Sequence, residues 1–218
     1  MQPIRRHGVD AAILFFDIVV PLKAAGIDLD IVPGIGPVIA APVRTADDVR
    51  ALPRLRPEEV GAVTDGVRLL TDALGDTPLI GFAGAPFTVA SYLVEGRPSR
   101  TYEHTKALLH TDPGVWHSLM EALAAMAVEF VDVQLAAGAS AFQLFDSWAG
   151  TLSATDYEHF VLPYSRRVFT ELAARHPGVP GIHFGIGCDH LLESMATAGA
   201  QVIGLDWRVG LDARWRAG

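Results

Sequence analysis

Only one cysteine, Cys188, occurs in the 218 residues, so an intrachain disulfide is excluded and nothing indicates an oxidising compartment. Positive charge is scarce too. The 17 Lys and Arg residues face 25 Asp and Glu for a net charge of −8, which argues against a nucleic-acid surface but leaves room for a local basic pocket. Apolar runs are broken by Pro, Gly, Asp or Glu before they reach membrane length, and the opening MQPIRRHGVD has no apolar signal-peptide stretch. A soluble, cytoplasmic protein with no membrane partner is the expectation. No internal repeat or low-complexity linker stands out, and a 50% apolar composition at this length suits a single domain, 1–218, with a substantial core.

Short apolar runs alternate with longer amphipathic ones. Ala11 to Phe16, Pro78 to Phe82, Ala141 to Phe145, Gly181 to Phe184 and Gln201 to Leu205 read as buried parallel strands. Between them, Leu119, Leu123, Met126 and Phe130 fall on one helix face. A second helix is predicted through Tyr157, Val161, Tyr164, Val168 and Leu172, capped near Ser153 or Thr155 and kinked at Pro163. Both stripes read as packing faces. The Gly- and Pro-rich stretch from Ile27 to Pro42 suits a small hairpin. Strand and helix alternation of this kind means a parallel sheet, either doubly wound or closed as a (β/α)₈ barrel, and pattern does not choose between them. Asp17, Gly84, Asp146, Ser147, Gly185 and Asp206 follow strand ends, where both architectures place their sites.

Asp17 is a single acid ending the apolar run AAILFFDIVVP; burying it ionised is expensive unless donors meet it. It reads either as functional or as a cap or ion pair to a neighbouring loop. In GFAGAPFTVASYLVEG, small residues would let a ligand approach the backbone and Tyr92 offers a hydroxyl, although a tight turn with a core tyrosine fits as well. Ser147 has no G-x-S-x-G around it and reads as a hydrogen-bonding group. His183, Cys188 and His190 match no standard zinc spacing. The glycine pair in PGIGPVIA lacks the last glycine of a dinucleotide fingerprint. Neither a metal site nor a dinucleotide site is therefore expected.

Taken together, QPIRR, AAILFFDIVVP, VPGIGP, IGFAGAPFTVASYLVEG, FQLFDSWAG, LPYSRRV and VIGLDW resemble the uroporphyrinogen decarboxylase family, in that family's order and over essentially the whole chain. The resemblance implies a (β/α)₈ TIM barrel, usually homodimeric. Such enzymes remove the four acetate carboxyls of uroporphyrinogen III to give coproporphyrinogen III in haem biosynthesis, with no cofactor. It assigns Asp17 as the carboxylate that accepts hydrogen bonds from the pyrrole N–H groups. Tyr92 and Ser147 become hydroxyls near the substrate carboxylates, and Ile13, Phe82 and Phe145 become apolar walls.

The sequence also departs from the family pattern. The arginine-rich segment of the R-Q-A-G-R-Y type and the late histidine in a G-H-G context have no counterpart, and Arg5 and Arg6 belong to the later QPxRR segment. Arg97 stands where the family commonly has glycine. The expectation is an incomplete barrel lacking its first strand segment and last two strands, with weak or no activity in this chain. Two alternatives stay open. One is a non-catalytic porphyrinogen-binding fragment; the other is a zinc- or corrinoid-linked methyltransferase, whose His-x-Cys is here His183-Phe184-Gly185.

Overall fold

A computed structural model describes residues 2–210, so the closing WRAG lies outside it. In chain order the elements are α1 (Gln2–His7), β1 (Ala12–Ile13), α2 (Val20–Ala24), β2 (Leu29–Val32), β3 (Gly36–Ile39), α3 (Ala46–Arg50) and α4 (Gly61–Leu74). Then come β4 (Leu79–Gly84), α5 (Pro86–Glu95), α6 (Glu103–Thr111), α7 (Pro113–Ala136), β5 (Ala141–Asp146), α8 (Ala154–Phe160), α9 (Leu162–Arg175), β6 (Gly181–Gly185), α10 (Leu192–Ala196) and β7 (Val202–Gly204).

Five of the strands form one parallel sheet in the order β1-β4-β5-β6-β7. Apart from the separate β2–β3 hairpin, each strand lies beside the next one in the chain, and the order never reverses. A doubly wound sheet requires such a reversal. A steadily advancing parallel sheet is instead the arc of a (β/α)₈ barrel. Among the described residues nothing pairs with the outer edges of β1 and β7.

Strand alternation separates two faces. Ala12, Leu79, Ala83, Phe142, Leu144 and His183 are buried against the helices. Ile13, Phe82, Gln143, Phe145, Ile182, Phe184 and Val202 share the concave face, where Ile13 and Val202 remain 40% and 45% exposed. Helix α7 underlies the sheet, packing on α5, α6, α9 and β4. Its predicted stripe of Leu119, Leu123, Met126 and Phe130 is buried throughout. Asp112 caps it by accepting the Val115 N–H at 3.2 Å, with Pro113 in the first turn, where a missing N–H costs nothing.

The helix expected through Pro163 is two helices. Ser153 caps α8 by accepting the Asp156 N–H at 3.1 Å. The chain then breaks at Val161, and Pro163 sits in the first turn of α9. Proline clashes with the carbonyl four residues back, so a fresh helix start accommodates it better than a kink. Tyr157, Val161, Tyr164, Val168 and Leu172 are nonetheless all buried. The β2–β3 hairpin forms as expected, and its end docks on α5 through Ile39 N–H donating to Gly96 C=O at 2.8 Å.

Candidate active site

The carboxyl ends of the strands open into a cavity of about 450 Å³. Each side comes from a βα segment. After β1 the chain leaves the sheet and supplies Phe15, Phe16, Asp17 and Ile18; β4 and α5 supply Phe82, Thr88 and Tyr92. β5 and its loop supply Phe145, Ser147 and Trp148, and β6 supplies Phe184 and Ile186. The walls interlock as aromatic pairs. Phe82 stacks on Phe16 at 4.4 Å and meets Phe145 edge-on at 5.3 Å; Phe145 meets Phe184 at 5.7 Å. Tyr92 lies against Trp148 at 4.1 Å, and Tyr102 backs that indole at 5.1 Å.

Asp17 is the one charged side chain lining this cavity among the described residues. It is half-buried, and one oxygen accepts the Val19 N–H at 3.1 Å, so the start of α2 orients it. It is thus less deeply buried than its apolar surroundings in the sequence implied, because the chain turns outward directly after β1. Across the cavity the Tyr92 hydroxyl is pushed up to about 12, first by burial and then by the Asp17 charge. At neutral pH it is a hydrogen-bond donor, not an anion. Thr88 and Ser147 add two further hydroxyls.

The structure brings Asp17, Tyr92, Ser147, Phe82 and Phe145 around one cavity. It does not bring Ile13 there. Ile13 pairs in register with Ile80, two residues before Phe82 along the same face, and lies below the lining, 40% exposed. Register against β4 sets its level along the strand, which the segment read by itself does not give. Arg5, Arg6 and Arg97 are exposed and also outside the lining. Residues missed from the sequence are Phe15, Phe16, Ile18, Thr88, Trp148, Phe184 and Ile186. Phe184 shares the parity of Phe145, and Trp148 follows Ser147, so parity and adjacency were the available signals.

His183 faces the helices behind the sheet, and the His190 ring nitrogen bonds to Leu152 C=O at 2.8 Å. No group of three His, Cys, Asp or Glu side chains among the described residues is arranged to hold a metal. Asp206 ties two loops together, accepting the Gly187 and Arg208 N–H groups at 2.8 and 2.9 Å.

Fold and cavity together define a protein of the (β/α)₈-barrel class with its pocket at the carboxyl ends of the strands. The solved methyltransferase from Methanosarcina mazei shares this fold, with a TM-score of 0.77 over 98% of this chain and 63% of that one, at 16% identity. The family model for uroporphyrinogen decarboxylase (URO-D) matches residues 1–218, and the chain belongs to that family. Curated relatives named uroporphyrinogen decarboxylase are 69% identical in Nocardia farcinica, 61% in Streptomyces coelicolor and 59% in Mycolicibacterium smegmatis. Each alignment covers 97% of this chain, which spans about 59–60% of those relatives' lengths.

Proposed function

We propose that this chain carries the pyrrole-recognising half of a uroporphyrinogen decarboxylase site, with Asp17 as its catalytic carboxylate. The observation that carries the reading is one carboxylate in a cavity otherwise walled by aromatic rings and neutral hydroxyls. Such a site suits a ligand built of aromatic rings and rich in N–H groups. The Asp17 carboxylate accepts the pyrrole N–H groups of uroporphyrinogen III, and Phe82 and Phe145 bracket its rings. When a ring carbon takes a proton, Asp17 stabilises the resulting cation. The C–CO₂ bond of the acetate arm then breaks into that electron sink and carbon dioxide leaves. The exocyclic methylene that results takes a proton to become methyl, and the ring carbon gives back the proton it took, restoring the pyrrole. Tyr92 and Ser147 donate hydrogen bonds to substrate carboxylates. No metal or organic cofactor enters these steps. We also read residues 1–218 as a single domain, and the full-length protein as a cytoplasmic homodimer. Family membership supports this; among the described residues no helix is long and apolar enough to cross a membrane.

No cation lines the cavity among the described residues, so an octacarboxylate meets little positive charge there. Weak turnover by the 218-residue chain is expected. The test is porphyrinogen binding by the chain and by Asp17→Asn, with coproporphyrinogen formation followed in the same samples. Charged hydrogen bonds of about 1.5–3 kcal/mol predict a loss of roughly one to two powers of ten in affinity for the variant. Equal binding by both forms, or none by either, would refute the Asp17 role. Binding without carbon dioxide release from the chain identifies a recognition module. Turnover matching that of a complete relative would show that the missing cations are not needed.

A further inference from the structure

Behind the pocket, on the helix side of the sheet, lies a group of polar atoms that the proposed chemistry does not use. Asp146 Oδ2, both ring nitrogens of His183, the Tyr157 hydroxyl and the Ser165 hydroxyl are buried without a hydrogen-bond partner. Each of the four residues is 0% exposed. β5 and β6 supply Asp146 and His183, α8 and α9 supply Tyr157 and Ser165, and the four converge. His183 Nε2 stands 3.9 Å from Asp146 Oδ2. Tyr157 feels the Asp146 charge, and its hydroxyl interacts with that of Ser165.

A separation of 3.9 Å is too long for a direct hydrogen bond and suits a bridging molecule. Leaving Asp146 Oδ2 and the His183 ring nitrogens unpaired would cost a large part of the net stability of a typical domain. An internal water needs two to four polar partners, and this cluster offers them. The front of Asp146 is engaged: Thr88 Oγ1 donates to Oδ1 at 3.0 Å and itself accepts the Trp148 N–H at 3.3 Å. Thr88 and Trp148 line the pocket.

We propose that Asp146, His183, Tyr157 and Ser165 enclose an internal water site, and that Asp146, held from behind by that water, is the positioning residue for the Ser147–Trp148 wall. The proposal rests on the functional reading only for what the wall contacts. Its placement is measured without ligand.

The experiment is ¹⁹F NMR of the chain with its four tryptophans fluorinated, the Trp148 signal being assigned by its loss in Trp148→Phe. Asp146→Asn and Thr88→Val are expected to shift or broaden that signal while leaving the Trp116 signal in place. Thr88→Ser, which keeps the hydroxyl, is expected to restore it. His183→Gln tests the rear of the network with Asp146 and Thr88 intact, and is expected to move the same signal. The Asp146→Asn/Thr88→Val double variant is expected to move it no further than either single change. A Trp148 signal unmoved by both His183→Gln and Asp146→Asn, in chains that still melt cooperatively, overturns the positioning role. Should Asp146→Asn not fold, His183→Gln and the Thr88 pair decide. A high-resolution crystal structure with no solvent density between Asp146 and His183 overturns the water site. Porphyrinogen titration of the parent chain judges the functional reading separately.

Discussion

Gln134 of α7 acts as a missing strand neighbour, and replacing it with leucine tests that idea. Along β4 the backbone groups of Leu79, Gly81 and Ala83 turn toward β5, as the Ser140 N–H donating to Leu79 C=O at 2.8 Å illustrates. Those of Ile80 and Phe82 turn toward β1. Ile80 is served there, because Leu14 N–H donates to its C=O at 3.3 Å. β1 ends at Ile13, so Phe82 has no strand beside it on that edge. The Gln134 amide takes that place: Oε1 accepts the Phe82 N–H at 3.0 Å, and Nε2 donates to the Phe82 and Phe130 C=O groups, each at 2.9 Å. Gln134 is fully buried, so water has no ready access to replace it. Gln134→Leu leaves two buried backbone groups unpaired at about 1–3 kcal/mol each, partly offset by leucine's apolar burial. A net loss of about 2–4 kcal/mol follows, or roughly 4–16 °C in Tm for a domain this size. Urea and thermal unfolding by circular dichroism measure it, and hydrogen exchange at the Phe82 amide locates it. A loss below about 0.5 kcal/mol, with Phe82 still protected, would refute the argument.

Gly150→Ala is expected to cost about 1–3 kcal/mol, because its new Cβ meets the Ile186 and Gly187 carbonyl oxygens, the latter at 2.6 Å, and backbone cannot rotate aside. Gly61→Ala, with nothing within 4 Å, is the control expected to be neutral or stabilising; equal melting of the two variants would sink the steric account. Burial, first among the causes, pushes Tyr92, Tyr102 and Tyr164 up to about 12. Unfolded tyrosine titrates near pH 10. A raised folded pKa contributes stability that is present below about pH 10 and is lost as pH rises toward 12. Absorbance titration of the folded chain would contradict this if all four tyrosines ionised near pH 10.

Much of the site was legible because its parts are local. The apolar runs marked the strands, and the family resemblance picked out Phe82 and Phe145 as walls. The isolated acid in AAILFFDIVVP marked Asp17. Ile13 shows the limit of that reasoning. It has the right parity, yet register against Ile80 sets it below the cavity, and register is a relation between distant segments. Asp146 and Ser147 show another. They are adjacent in sequence and both follow β5, but alternation turns Asp146 behind the sheet and Ser147 into the pocket.

By itself, then, the sequence determined the alternating strand and helix pattern, the single cysteine, the acidic balance and the segments that carry family membership. These are properties of composition and short-range periodicity, which the chain holds whether or not it is folded. Tertiary structure decided between a barrel arc and a doubly wound sheet, because strand order emerges only from pairing. It also decided that Gln134 closes the edge of β4, that Thr88 and Trp148 join the pocket wall, and that His183 lies behind it. Each of these depends on contacts between segments far apart in the chain, whose distances and directions no local pattern encodes.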